Sequence, residues 1–277
     1  PGTSYAARSL VAYAPDNTAH TGSLSGSLNL PRRTRLTASI STSLRKQNDP
    51  FFGQTSNAYL ASSPYLALAR SSLEGQVKTS AMNLGLTSRP VKNLTLTGRV
   101  RVFDYENQTP HFQLIAMAIS DRSIALADSE SFEPRPYTKT NTDLSGTYRL
   151  PAGLSLSAGP ALENWNRDPE ERNRGKTDEG TSRVSLYYAG NQWVTLRGSF
   201  TKGSRRGNDY AYGTAEFDNF RRFDLADRNR TRASVMASVT PSDALSVSFS
   251  YQSGDDKFPN SQYGVTADNN RMFGTDV

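Results

Sequence analysis

The sequence has no cysteine and only two histidines, His20 and His111. Without cysteine there are no disulfides, no thiolate metal site and no covalent haem attachment within this chain. Two isolated histidines build no metal motif of fixed spacing, and both read as loop or strand-end residues. Long apolar runs are missing too. The longest, Leu114 to Ile119, is six residues, whereas a transmembrane helix needs about 20. There is no Gly-rich phosphate loop and no zinc spacing. Serine is so frequent that its coincidence with histidine and acid carries no weight as a triad. Asp178-Glu179 and Asp255-Asp256 lack the spacing of a calcium loop and read as loop acids in solvated turns. The expectation is a chain that is not an enzyme, with no catalytic, cofactor-binding or metal-binding residues of its own.

Apolar residues are also scarce, at 35%, against roughly 45–50% in a soluble globular domain. A core buried on two sides would be thinly supplied. Disorder does not fit, because the chain holds 12 Phe, 13 Tyr and 2 Trp and its apolar residues fall in phase. A transmembrane barrel needs only one apolar face per strand and has a polar lumen. Net charge is +6, but the cations are dispersed and form no basic block. Arg221-Arg222-Phe223 reads as a loop contact, and nucleic acid is not an expected partner.

What is present is alternation. From Thr231 to Val239 every second residue is Thr, Ala, Val, Ala or Val, with Arg232, Ser234, Met236 and Ser238 between them. After Pro241-Ser242-Asp243, Leu245, Val247, Phe249 and Tyr251 alternate with serines. A period of two puts each set on its own face of a strand, and the short turn makes an antiparallel hairpin. The same unit recurs over Thr18–Leu30 and Arg35–Arg45, Gly75–Ser88 and Asn93–Tyr105, Lys139–Leu150 and Leu154–Leu162, and Thr181–Ala189 and Trp193–Thr201. Residues 1–14 alternate weakly and read as a strand or a loop end. His111–Ala127 reads as either a short helix or an extra strand.

Tight turns fall near 31, 90, 151, 190 and 242. Long polar segments separate them, among them Lys46–Glu74, Asn166–Glu179, Lys202–Asn229 and Gly254–Asn270. Short turns at one end and long loops at the other are the pattern of an outer-membrane barrel, with the long loops extracellular. Strands of about 9–11 residues suffice to cross. The predicted fold class is all-β: an antiparallel transmembrane β-barrel of outer-membrane type. The chain reads as mature or truncated at both ends, one partial barrel domain over 1–277 forming an open curved sheet of about 10–12 strands.

With the apolar set toward outer-membrane lipid, Arg45, Arg99, Arg101, Arg149, Arg183, Arg197 and Arg232 face inward, and Asp143 is the one clear inward acid. Charge segregation is required of any membrane barrel, since a charge at the lipid midplane costs roughly 2–4 kcal/mol. The surplus of one sign is not required, and it would favour anionic contents. The plainer alternative is a solvated polar wall. Tyr148, Tyr188, Phe200 and Tyr251 sit on the apolar parity as candidates for interfacial girdles. Trp165 and Trp193 sit on the polar parity, so bulges intervene or they face inward.

Arg222-Phe223-Asp224-Leu225-Ala226-Asp227-Arg228-Asn229-Arg230, Thr240-Pro241-Ser242-Asp243-Ala244-Leu245, Gly254-Asp255-Asp256 and Tyr263-Gly264 occur in this order. Together with Leu84–Val91, Arg99–Asn107 and Leu30–Ala38, they resemble the MtrB/PioB family of decahaem-associated outer-membrane proteins, over about residues 15 to 270. The resemblance implies a location in the bacterial outer membrane and a barrel longer than this chain. Such a barrel sheathes and positions a periplasmic multihaem c-type cytochrome for electron transfer across the membrane, with an extracellular multihaem cytochrome as a possible second partner. Haem belongs to the cytochrome, and the inward arginines become candidate cytochrome contacts. Some members carry an N-terminal Cys-x-x-Cys pair, which this sequence lacks. Strand pattern alone leaves a passive, anion-preferring porin or transport barrel as the alternative, and a soluble β-rich fibre or adhesin after that.

Overall fold

The computed structural model describes residues 16–55, 57–120, 123–131, 135–167, 174–210, 221–242 and 244–277. The weak alternation over residues 1–14 lies outside them. Among the described residues thirteen strands follow one another. They are β1 Thr18–Leu30, β2 Thr34–Gln47, β3 Gly75–Ser88, β4 Leu94–Asn107, β5 Gln113–Ser120, β6 Ser123–Ser131, β7 Tyr137–Arg149, β8 Leu154–Arg167, β9 Lys176–Tyr188, β10 Val194–Gly207, β11 Arg228–Ser242, β12 Leu245–Lys257 and β13 Ala267–Asp276. Eleven form one open sheet in the order β1-β2-β3-β4-β7-β8-β9-β10-β11-β12-β13, with β1 and β13 as its edges. From β7 to β13 every neighbouring pair is antiparallel. β5 and β6 form a separate hairpin in the connection from β4 to β7.

The chain divides into two compact units. The first comprises Pro1–Gly22, Thr42–Thr79 and Tyr105–Pro136. Here His111–Ala127, open between helix and strand from its sequence, contributes to the β5–β6 hairpin, with Gln113 opposite Ser131. A short helix, α1 Ala58–Ala61, and a 3-10 turn, Pro64–Leu66, supply Leu60 and Leu66. These two bury against Ala116, with Ala118 and Ile124 beside them. The rings of Phe51 and Phe112 meet tilted, 5.5 Å between centres, and Arg70 pairs with Glu74 at 2.5 Å.

The second unit comprises Ser23–Ser41, Ser80–Asp104 and Tyr137–Val277. Its strands overrun the alternation that announces them. β10 continues to Gly207, β11 begins at Arg228, β12 continues to Lys257, and Ala267–Asp276 is a strand. Much of what reads as the loops Asn166–Glu179, Lys202–Asn229 and Gly254–Asn270 is therefore ladder. The reason is physical. Apolar–polar contrast ends where the outer face leaves the apolar layer, but backbone pairing does not depend on that contrast. β11 also runs through Pro241, with a register shift between Val239 and Ser242. Proline lacks the N–H that a regular ladder would use, so a shift there is expected.

The short turns have the conformations that close hairpins. Arg32 and Arg33 have φ of 58° and 51°, and Ala152 and Gly153 have φ of 58° and 75°. Two consecutive left-handed residues match the twist of the flanking strands. At Gly153 a Cβ would also lie 2.4 Å from the Cα of Gly190, so the β7–β8 and β9–β10 turns abut through glycine.

Among the described residues, nothing packs against the apolar face of the main sheet. Among the described residues the buried apolar side chains are Leu60, Leu66, Ala116, Leu225, Ala226 and Phe258, and none lies on that sheet. Val235, Phe249 and Phe200 remain 57%, 53% and 49% exposed. An eleven-stranded sheet without a protein core on its apolar side has another solvent there, and a bilayer supplies it. No helix among the described residues is long and apolar enough to cross a membrane.

Candidate functional site

On the face opposite the apolar band, the second unit forms a hollow of ≈ 1450 Å³. Its walls come from residues of β4 and β7 to β12. Arg99, Arg101, Arg149, Arg183, Arg197 and Arg232 all line it, so six of the seven arginines singled out by parity share one surface. Arg45 does not line it and is exposed on β2, in the first unit. Serine and threonine fill the spaces, including Thr147, Ser157, Ser185, Ser199 and Ser234. Across the ladder, Thr147 donates to Ser157 at 3.1 Å, and the hydroxyls of Ser199 and Ser234 lie 2.7 Å apart.

Arg101 pairs with Asp143 at 3.0 Å, with both side chains about half exposed. Such a pair contributes little, about 0–1 kcal/mol. Arg197 lies 5.7 Å from the ring centre of Tyr187, its register partner on β9. Among the described residues Arg99, Arg149, Arg183 and Arg197 have no acid within ion-pair distance. The mid-wall is therefore cationic by surplus.

Towards the long-loop end the wall changes character. Arg228, Arg230 and Arg232 follow the inward parity of β11. Asp256 stands opposite Arg230 in the β11–β12 register. Arg230 donates to both Asp256 oxygens at 3.0 and 2.9 Å, and Arg232 adds a third bond at 3.1 Å. Arg228 donates to Glu179 at 2.6 Å. The Asp256 side chain is 6% exposed and that of Glu179 11%. Glu179 and Asp256 are thus strand residues in a buried charge network, not acids of solvated turns, and Asp143 is not the one inward acid. Gly254 faces Arg232 in register, and a Cβ there would lie 2.1 Å from a guanidinium nitrogen. The glycine of Gly254-Asp255-Asp256 makes room for the arginine that the aspartate holds.

The segment before β11 folds onto this network. Arg205 donates to the carbonyls of Ala226 at 2.8 Å and Phe223 at 2.5 Å. Arg174 donates to Leu225 O at 2.9 Å and Asn208 O at 2.6 Å, and pairs with Asp227 at 2.8 Å. Asn260 donates to the other Asp227 oxygen at 2.6 Å. Leu225 and Ala226 are buried as a result. Arginine suits this latch because its fixed fork reaches several acceptors at once. Phe223 stays exposed, and Arg222 pairs with Asp224 at 3.5 Å.

Trp165 faces inward, as its parity indicates. Its Nε1 donates to Glu163 at 2.7 Å, Tyr137 lies 5.1 Å away ring to ring, and Lys139 and Arg167 approach its ring at 4.5 and 4.6 Å. Trp193 precedes β10 in the turn and is exposed. Tyr148, Tyr188, Phe200 and Tyr251 lie on the outer parity, and Tyr251 pairs with Phe273 at 4.8 Å. His20 lies at the start of β1 and His111 between β4 and β5.

Residues 1–277 match the family model described as "Putative outer membrane beta-barrel porin, MtrB/PioB". The chain belongs to the MtrB/PioB family. It is similar to outer membrane protein MtrB of Shewanella baltica (strain OS185), 23% identical over 275 residues, which cover 96% of this chain and 37% of that relative. The chain thus spans little more than a third of the relative's length. Among solved structures, OmpT of Vibrio cholerae in its in-vitro folded trimer form gives a TM-score of 0.43 at 11% identity, over 93% of this chain and 89% of that one. The outer-membrane expressed OmpT gives 0.43 at 10% identity, over 96% and 99%. Family membership and the exposed apolar face place this MtrB/PioB chain in the outer membrane as part of an antiparallel β-barrel of a porin family.

Proposed function

We propose that this MtrB/PioB chain forms part of the wall of a barrel that sheathes and positions a periplasmic multihaem c-type cytochrome for electron transfer across the outer membrane. The observation that carries the reading is the arginine-lined hollow on the face away from lipid. Carboxylates on an acidic protein surface, and the propionates of the partner's haems, accept charge-assisted hydrogen bonds from guanidinium groups. Arg99, Arg149, Arg183 and Arg197 are open for such bonds, having no acid partner among the described residues. In this reading the partner supplies haem and all redox chemistry, while the barrel supplies an apolar exterior, an insulating wall and a complementary charge. An extracellular multihaem cytochrome would meet the long-loop end.

The test uses the full-length barrel, tagged and co-expressed with a multihaem periplasmic cytochrome from the same organism. Affinity capture in detergent followed by haem staining should show the cytochrome retained. The variant Arg99→Glu/Arg101→Glu/Arg197→Glu should release it at lower salt than the parent. Equal retention across a salt titration would remove the electrostatic part of the proposal, and failure to capture any haem protein would remove the sheath.

The unpaired arginines also favour a second reading, an anion-preferring pore. The barrel alone in a planar bilayer under a KCl gradient would then conduct, with a reversal potential on the chloride side. A sheath filled by its partner should conduct weakly or not at all.

A further inference from the structure

The outer face of β9 to β13 carries charge at one end only. Its positions run Lys176, Asp178, Gly180, Ser182, Val184, Leu186, Tyr188 on β9 and Val194, Leu196, Gly198, Phe200, Lys202, Ser204, Arg206 on β10. On β12 they run from Leu245 to Tyr251 and then Ser253, Asp255, Lys257, and on β13 Arg271 follows Asn269. β11 contributes Asn229 and Thr231 above Ala233 and Val235. The short-turn end of this face is apolar. At the long-loop end five cations, Lys176, Lys202, Arg206, Lys257 and Arg271, stand with two acids, Asp178 and Asp255. Asp178 accepts from Asn164 at 2.7 Å.

Registers spread the cations over this end of the face, with Asp255 among them. Lys202 lies level with Thr231 and Asp255, and Lys257 lies level with Asn229. β10 and β12 are roughly 10 Å apart, two strand spacings. Arg206 is held outward by bonds to Arg228 O at 3.2 Å and Asn229 Oδ1 at 2.7 Å. Lys176, Lys202, Lys257 and Arg271 are exposed and unpaired among the described residues.

Cations directly above an apolar band, on one side of the membrane only, are complementary to an anionic head group in that leaflet. With the long loops outside, that leaflet is the outer one. We propose that this belt binds the phosphates of the bisphosphorylated glycolipid, lipid A, that forms the outer leaflet. Its acyl chains lie against Leu196, Phe200, Val235, Phe249 and Phe273, and its phosphates sit among Lys202, Lys257 and Arg271, with Arg206 as a fixed guanidinium at the rim. The lipid would act as a collar on this sector of the barrel. The inference does not depend on the cytochrome.

The test measures lipid retained by the purified full-length barrel after delipidation and incubation with bisphosphoryl lipid A, monophosphoryl lipid A or phosphatidylglycerol, read by mass spectrometry of the intact complex. Retention should fall in that order. Each surface cation contributes roughly fivefold near an anionic membrane, so Lys202→Gln/Lys257→Gln/Arg271→Gln should weaken lipid A retention on the order of a hundredfold. Equal retention of the three lipids by the parent barrel overturns the proposal without any variant. Preference for phosphatidylglycerol would place the belt in the inner leaflet, which also overturns it. Lys202→Arg/Lys257→Arg should bind as the parent does, separating charge from misfolding.

Discussion

Replacing Asp256 with asparagine removes one negative charge and almost no volume. In the native wall its two oxygens accept three bonds, from Arg230 at 3.0 and 2.9 Å and from Arg232 at 3.1 Å, with Arg228 at 3.8 Å. The acid is 6% exposed, but the side chains of Arg230, Arg232 and Arg228 keep 29%, 25% and 16%. Removing one partner of a fully buried pair costs about 3–5 kcal/mol. Partial solvation of the arginines lowers that here to about 2–3 kcal/mol, the range of one or two charge-assisted bonds. Among the described residues Glu179 would remain as the acid within ion-pair distance of Arg228 and Arg230, so their mutual repulsion adds to the loss. The assay is reversible urea unfolding of the refolded barrel in lipid, followed by tryptophan fluorescence, since Trp165 lies on the same inward face. Asp255→Asn is the control. It alters the neighbouring, exposed acid on the outer face and should change stability by no more than about 0.5 kcal/mol. Asp256→Asn/Arg230→Gln should recover about 1–2 kcal/mol relative to the sum of the single losses. A loss below about 0.5 kcal/mol for Asp256→Asn, or an equal loss for Asp255→Asn, would refute the argument that the network stabilises the end of the wall.

Gly254→Ala should displace Arg232 and cost about 1–2 kcal/mol in the same assay, mainly through its bond to Asp256. Val235→Arg should cost about 2–4 kcal/mol in lipid, whereas Ser234→Arg on the opposite face should be tolerated; similar costs for both would invert the face assignment. Arg174→Ala removes the donors to Leu225 O and Asn208 O and the partner of Asp227, so trypsin should cleave after Arg221 or Arg222 at least tenfold faster with barrel stability little changed.

Where the sequence is readable, it is readable for one reason. An apolar–polar alternation marks a strand only as long as its outer face meets hydrocarbon. Leu154, Leu156 and Leu162 announce β8, but Asn164 and Asn166 end the contrast although pairing with Asp178 and Lys176 continues. The same loss of contrast hides Lys202–Gly207, Arg228–Arg230 and Gly254–Lys257, which hold the ion network. The signal was nevertheless present: counting by twos from Arg232 reaches Arg230 and Arg228, from Arg183 reaches Glu179, and from Gln252 reaches Asp256. What counting could not supply is the partner across the ladder. Arg230 opposite Asp256 requires the register, and the latch of Arg174 on Leu225 and Asp227 joins residues about fifty positions apart with no periodic relation.

The two zones of the inward wall differ in how charge is balanced. At the long-loop end strands and loop pack together, water reaches the ions only in part, and the cations Arg205, Arg228, Arg230 and Arg174 are each met by acids or carbonyls, because a largely buried unpaired charge would be costly. In the mid-wall the hollow is open, and water pays the solvation of Arg99, Arg149, Arg183 and Arg197. Folding does not demand an acid there, nor does it demand an arginine; Ser and Thr would solvate as well. Their shared sign is therefore separable from the fold. Neutral substitutions at these four positions should be nearly silent in unfolding, and any effect they have on what the barrel holds or passes reports its contents directly.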